Sequence, residues 1–532
     1  MAILAVCGPL LSGCSSPPQI LEISPLQGAN GVPSNAPVRI RFDRAMDRTS
    51  VASRFHLEPA VHGSIHWVNA RQMRFDHGSL RPSTKYQVIL DGGYRDAQGQ
   101  PNALRHSWIF STEGPPELSG SSPGDGDRGV DTAAYIALTF NREMDTATLP
   151  QAMSISPSTR FTLQRDPADA LRVIVVPEAL LDPDQEYSVT VTTRARDVDG
   201  NRLGIGSAVT FATGAQHGLQ HWIGFVAQRS AGGAGGTPGV WIVDESRFPR
   251  VLVSAQASWF SWSADGQRLL LRTASGAWSD ETVKGTSTPL PFHGTWAAYL
   301  SGGRGYAYLD GTDLFTMTPD GVSRPVMGGV TDAAVNPAGT RIAFTVGSGA
   351  GADVYAYDIG LNTDYRLQTE PRSIDGLAWS PDGLSLAYRA AGTSPARHEI
   401  RVRLLRDGGS TATLAAGDVG VPVWQADSRH VFFTAVVRGP SGETSKLFRF
   451  APGEPAPSSL TASTGLPASS TVSVGDPSPS PDGRQVAFIS ESRGPVPEVW
   501  LMNADGTGLT QLTAFNPDEF PYQCTRVAWT QS

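Results

Sequence analysis

The sequence predicts an all-β chain: two sandwich modules in tandem, then a closed ring of small sheets. Three observations predict it. The 532 residues include 57 glycines and 40 prolines, about 18% against roughly 12% in average usage, and these are the two poorest helix formers. Charged residues make up only 17%, too few for the polar faces of helical bundles, while 40% hydrophobic residues with 12 Trp, 12 Tyr and 20 Phe provide ample surface to bury. Two different internal repeats then divide the chain.

The N-terminus comes first. Met1 to Leu11 is a short apolar segment, followed by Leu11-Ser12-Gly13-Cys14 and Ser15-Ser16-Pro17-Pro18. These residues resemble the lipobox of bacterial lipoproteins, and the resemblance implies a signal peptide, removal of residues 1 to 13 and acylation of Cys14. Two or three acyl chains, at about 0.8 kcal/mol per buried CH₂, anchor a soluble body stably to a membrane. The segment departs from the usual leader in having no Lys or Arg before its apolar run. With Cys7 removed and Cys14 acylated, Cys524 alone remains, so no internal disulfide is expected.

Residues 19 to 214 hold the first repeat. Pro25, Gly31-Val32-Pro33, Phe42-Asp43-Arg44-Ala45-Met46-Asp47, Tyr86, Asp96-Ala97-Gln98-Gly99 and Phe110-Ser111-Thr112 recur as Pro123, Gly129-Val130, Phe140-Asn141-Arg142-Glu143-Met144-Asp145, Tyr187, Asp197-Val198-Asp199-Gly200 and Phe211-Ala212-Thr213. Val38, Ile40 and Phe42 alternate with Arg39 and Arg41, and Tyr187, Val189 and Val191 alternate with Ser188 and Thr190. This period of two puts one strand face in a core and the other in solvent. The motifs resemble those of bacterial Ig-like domains, which implies β-sandwich spacer or adhesive modules without catalytic residues. In the first copy Gln100 replaces the Asn that the second has at Asn201.

The second repeat begins after Gln220. Trp262-Ser-Ala-Asp-Gly266, Val335-Asn-Pro-Ala-Gly339, Trp379-Ser-Pro-Asp-Gly383 and Pro479-Ser-Pro-Asp-Gly483 each precede an apolar strand, and Tyr299 and Trp424 head degenerate copies. Each copy reads as a hairpin: Pro presets φ, Asp bonds its own backbone and Gly takes positive φ. A further apolar strand follows each, clearest at Leu314 to Met317 and Val499 to Met502, weaker at Val354 to Tyr357 and Leu447 to Phe450. Four short strands per unit is the size of a propeller blade. A seventh copy starts at Trp529, and its remaining strands are supplied by Ile223 to Ala227, Val240 to Val243 and Arg250 to Val253, which closes the ring and removes its open edges. Seven blades are therefore predicted, with six as the alternative if Tyr299 forms none. These residues resemble the TolB-like propeller repeats of periplasmic bacterial proteins. Ala451 to Ser470 reads as an insertion between blades. The expected domains are 1–18 (signal and tether), 19–113, 114–214 (Ig-like) and 219–532 (propeller).

Net charge is −8 and there is no basic run, which excludes a nucleic-acid partner. Only Lys85, Lys284 and Lys446 are lysines, an arginine bias read as codon usage. No apolar run reaches transmembrane length. Gly120-Ser121-Ser122-Pro123-Gly124 fits a hydrolase pattern, but it lies between two sandwich modules, where no strand–turn–helix elbow is expected. His56, His62, His66 and His77 cluster in sequence, but Gly63 and Ser64 between the middle pair point to a solvent-facing hairpin. Asp125-Gly126-Asp127 and the blade Asp-Gly steps lack calcium-loop spacing and read as turns. Trp262, Trp379, Trp424 and Trp529 recur at one blade position and read as packing between blades. No catalytic residue, cofactor or metal ligand is assigned, and Cys14 is the one modification site.

The expected protein is a lipid-anchored component of the cell envelope, its Ig-like modules a spacer and its propeller a platform for a protein, peptide or glycan. An enzyme acting on glycans or lactones at the propeller axis is the alternative, with Asp332 and Asp375 as the nearest candidate carboxylates. A purely structural surface spacer is the second.

Overall fold

A computed structural model describes residues 16–215 and 221–530, apart from 232–233, 236–237, 245–247, 254–256, 285, 302–304, 348–350, 393–396, 406–408, 440–441, 462–473, 492–495 and 514–521. Cys14 lies outside the described residues. The chain separates into two compact units. One takes Met1–Val130, Tyr135–Val176 and Gln185–Thr213; the other takes Asp131–Ala134, Pro177–Asp184 and Gly214–Ser532. Among the described residues no helix is long and apolar enough to cross a membrane.

The first unit holds two sandwiches of identical topology. In the first, Ile20–Ser24, Val38–Phe42, Gln72–His77 and Gly63–Asn69 form one sheet in that order, and Ala29–Val32, His106–Thr112, Lys85–Leu90 and Phe55–Glu58 form the other. In the second sandwich Leu118–Ser122, Ile136–Phe140, Asp169–Pro177 and Phe161–Asp166 face Asp127–Val130, Ser207–Thr213, Glu186–Val191 and Met153–Ser156. The period-two strands bury what they should: Val38, Ile40 and Phe42 are inside, as are Tyr187, Val189 and Val191. Tyr86 stacks on Phe110, and Tyr187 on Phe211, each pair at 5.8 Å between ring centroids and 22° between planes.

The recurring polar motifs build the corners. Met46 is buried and bridges to Asp96, as Met144 bridges to Asp197. Asp47 caps the short helix Arg48–Ala52 by accepting from the N–H groups of Thr49 and Ser50. Asp96 Oδ1 accepts from the Gln98 and Gln100 N–H groups at 3.0 and 2.9 Å, and Asp197 Oδ1 accepts from Asp199 and Asn201 at 3.1 and 2.7 Å. One carboxylate oxygen thus closes each loop.

In the second unit every repeat copy forms a sheet. Six sheets have four strands each in sequence order, opening with Ala257–Trp262, Trp296–Tyr299, Val330–Val335, Ile374–Trp379, Val423–Trp424 and Val474–Pro479; these are the first to sixth blades below. The degenerate copy at Tyr299 is one of them. A closing sheet joins Tyr522–Trp529 to Ile223–Ala231, followed by Gly239–Val243 and Arg250–Val253, with Ile223 opposite Trp529 and Phe225 opposite Val527. First strands touch first strands from the second blade round to the closing one, which touches the first blade, so these strands lie nearest the ring axis. The 451–470 segment is not wholly an insertion between blades. Its Ser458–Ser459 pairs with Phe448 and Arg449 as the outermost strand of the fifth blade, because a two-residue edge strand is too short to show a periodicity.

The Ser-x-Asp-Gly turns satisfy themselves. Ser380 Oγ donates to Asp382 Oδ1 at 2.6 Å and accepts from the Ser385 N–H at 2.9 Å, and Asp382 Oδ1 takes the Leu384 N–H; Ser480 and Asp482 repeat the pattern. Gly339 and Gly383 hold φ of +66° and +68° at the same turn position, but a Cβ on Gly383 meets nothing closer than 3.7 Å, whereas on Gly339 it would lie 2.2 Å from the Ser301 nitrogen. Gly383→Ala should cost about 1–2 kcal/mol for the left-handed backbone. Gly339→Ala should cost about 1–3 kcal/mol more from the clash. Urea unfolding midpoints of the two variants check this, and equal midpoints would contradict it.

Candidate functional site

The residues the sequence singles out are mostly consumed by structure. Ser121 and Ser122 sit inside the strand Leu118–Ser122, paired with Leu138 and Ala137, so Gly120 to Gly124 forms no elbow. Gly63 and Ser64 are not the hairpin turn; they open the strand Gly63–Asn69, and the turn lies at Ala70 and Arg71. Gly63 is needed for close approach, since a Cβ there would stand 2.4 Å from the Asp76 carbonyl oxygen. The four histidines do not converge. His66 is exposed beside Ser64, His56 lies near Asp91 and Glu58, and both ring nitrogens of His77 are bonded to the Gly78 and Ala36 carbonyls. Asp127 accepts from the Gly124 N–H within the turn, and Asp125 accepts from the Thr210 N–H, which ties the turn to the strand Ser207–Thr213.

Three of the four recurring tryptophans are staples between blades, whereas the Trp529 indole nitrogen is buried without a hydrogen-bond partner among the described residues. The Trp379 indole donates to the Ala334 carbonyl at 3.0 Å, Trp424 to Ala378 at 2.9 Å and Trp262 to Ala528 at 3.1 Å, in each case the residue before the last of the preceding blade's first strand. A reciprocal staple runs the other way. Three residues before the ends of the first strands of the third, sixth and closing blades stand Asp332, Asp476 and Arg526. Asp332 accepts from the Leu377 N–H at 2.9 Å, Asp476 from Val527 at 2.6 Å, and Arg526 Nε donates to the Phe260 carbonyl at 2.8 Å. All three reach the same backbone position of the next blade.

Burial sets the electrostatics of these groups. Desolvation pushes the Asp332 carboxyl above its usual value, and the Leu377 and Ala333 N–H groups pull it back only in part. Asp476 is likewise raised by burial, against the opposing pull of Arg526 and the Val527 N–H. Burial lowers the Arg526 guanidinium, which lies 4.5 Å over the Trp259 ring. Asp375, the second carboxylate picked from the sequence, is gripped by Arg389 on its own blade at 2.7 and 2.5 Å. Burial raises the Cys524 thiol well above its ordinary range, in the closing strand.

Two clefts open where the Ser-x-Asp-Gly turns lie. One, of about 380 Å³, is lined by Arg449, Arg484, Asn503, Ala504 and Asp505, between the fifth and sixth blades. The other, of about 320 Å³, lies between the third and fourth and includes Arg341, Arg403 and Tyr365. Arg449 Nε is held by Gln425 Oε1 at 2.9 Å and Arg403 by Gln368 Oε1 at 2.8 Å, so neutral oxygens position both guanidinium groups. Beside Arg449, His430 stands between Asp427 and Glu454, at 2.5 and 3.3 Å. The exposed side chain of Tyr365 adds apolar surface to the smaller cleft. None of these arginines was singled out by sequence, because arginine is the chain's common base and nothing in the repeats marks them.

No metal ligand is expected from the sequence. Among the described residues, Glu113, Asp197 and Asp199 bring carboxylate oxygens within 4.8 Å of one another, in the first unit.

Two consecutive segments, 15–112 and 113–213, match the bacterial Ig-like domain family, so the chain carries two such domains in tandem. No curated protein matches the chain. Among solved structures, the putative TolB of Agrobacterium tumefaciens is 18% identical, over 58% of this chain and 93% of that one, with a TM-score of 0.36. TolB of Acinetobacter baumannii is 13% identical over 71% and 83%, with a TM-score of 0.37. A putative 6-phosphogluconolactonase from Bacteroides uniformis is 14% identical over 58% and 99%, with a TM-score of 0.40. These scores carry no argument about activity, and the propeller assignment here stands on the strand pairing itself.

Proposed function

We propose that this chain is a cell-envelope binding or scaffold protein: acylated at Cys14, carrying its two Ig-like domains as a spacer, and binding a protein, peptide or glycan on the turn face of its propeller. The observation that carries the reading is the pair of clefts on that face, each furnished with two arginines, one of them positioned by a glutamine. A guanidinium fixed by a neutral partner keeps its charge and its remaining donors for an incoming carboxylate or similar anion. The axial carboxylates support binding over catalysis: Asp332 and Asp476 hold neighbouring backbone N–H groups and Asp375 holds Arg389, which leaves them to ring cohesion.

The test is crosslinking and mass spectrometry of the full chain in its native host, with an Arg449→Ala/Arg484→Ala double variant alongside. Expected are an acylated peptide beginning at Cys14 and an envelope partner whose capture falls several-fold in the variant. Retrieval of no partner, together with turnover of a glycan or lactone by the purified chain, would overturn the reading.

A further inference from the structure

The acidic group of the first unit has a composition that the turn motifs do not require. Glu113 stands in the linker between the sandwiches, and Asp197 and Asp199 on the closing loop of the second. Glu113 and Asp197 are buried, at 6% and 2% exposure. Arg142 bonds to Glu113, but Asp197 is met by N–H groups and Asp199 Oδ1 by the Asn35 amide at 2.9 Å, all neutral donors. One guanidinium, from Arg142, thus faces three carboxylates gathered within 4.8 Å of one another.

Asn201 supplies an independent sign. It is 3% exposed, and its amide is inserted into the group, Nδ2 donating to Glu113 Oε1 at 3.0 Å and Asp197 Oδ2 at 2.9 Å. Its carbonyl oxygen is buried with no hydrogen-bond partner. A half-turn of this amide exchanges nitrogen for oxygen in nearly the same volume. Four oxygens would then face one point, which is repulsive unless a cation occupies it.

We propose that Glu113, Asp197, Asp199 and Asn201 form a calcium site that locks the first Ig-like domain to the second. The donors are all oxygen, with no His or Cys, which selects a hard cation. The carboxylate oxygens lie within 4.8 Å of one another, close enough for one ion to reach them all, and a mixed set of carboxylates and a side-chain carbonyl suits the flexible, high-coordination oxygen shell of Ca²⁺. The lock follows from where the ligands come from. The Glu113 N–H already donates to the Val32 carbonyl, and the Asp199 loop is bonded to Asn35 and Ser79 of the first domain. The first domain's own loop keeps Asp96 but has Gln98 and Gln100 where the second has Asp199 and Asn201. The extra oxygen ligands therefore occur only in the loop that meets a preceding domain.

The test is isothermal titration of the chelator-treated full chain with calcium chloride. One ion per chain is expected, with a dissociation constant on the order of 10⁻⁴ to 10⁻³ M, the range of extracellular modules. Asp199→Asn should weaken binding at least tenfold, Asn201→Asp should tighten it, and Asp320→Asn, in an exposed blade turn, should leave it unchanged. Absence of saturable binding in the native chain, or binding indifferent to both Asp199→Asn and Asn201→Asp, would overturn the proposal. Circular dichroism of each variant separates loss of the site from loss of the fold.

Discussion

Trp262→Ala is expected to destabilise the propeller by about 3–5 kcal/mol, the range for emptying a buried large aromatic site. Trp262 is 4% exposed, packs edge-on against Phe260 at 6.0 Å and joins the first blade to the closing one through Ala528. This position carries more than packing, because the closing blade is the one sheet assembled from distant parts of the chain. Long-range pairing is where loop-closure entropy weighs most. Trp262→Phe separates the two contributions: it retains most of the apolar volume and loses the indole N–H, leaving the Ala528 carbonyl without that donor, for about 1–2 kcal/mol. Denaturant unfolding followed by tryptophan fluorescence measures both. A shift below about 1 kcal/mol for the alanine variant would mean that the ring does not depend on its closing staple.

The propeller was legible because its turns are chemically demanding. A left-handed residue after a backbone-bonding Asp admits little but glycine, so Ser-Pro-Asp-Gly and Trp262-Ser-Ala-Asp-Gly266 stand out without any knowledge of the fold. The tandem Ig-like domains were legible for the same reason, through Met46 with Asp96 and Met144 with Asp197. What binds one blade to the next was only half visible. Trp recurs and was noticed, but its reciprocal partner position holds Trp259, Trp296, Asp332, Gly376, Val421, Asp476 and Arg526. No single residue type fills it, because the partner is a backbone group that either an acid or a base can reach. Asp332 was picked out as a candidate carboxylate for its charge, and its contacts assign it to the ring. The acidic group escaped for a different reason. Asp197 and Asp199 read as turn residues, and Glu113 joins them only once the linker folds against the loop.

Asp96→Ala is the second large effect expected, about 3–5 kcal/mol, localised to the first Ig-like domain. Asp96 is 3% exposed, and one of its oxygens accepts two N–H groups, from Gln98 and Gln100. A hydrogen bond to a charged acceptor contributes about 1.5–3 kcal/mol, and its removal strands a donor that water reaches poorly. Asp96→Asn keeps an oxygen in the same place and gives up the charge, including its 3.7 Å approach to Arg44, so it should recover most of the loss. Because the chain forms two units, its unfolding need not be a single transition, and the two sets of variants assign the transitions to each other. Trp262→Ala should move one midpoint and Asp96→Ala the other. If both moved the same transition by the same amount, sandwich and ring would be one cooperative body, and stability measured in either could no longer be attributed to its own turns and staples.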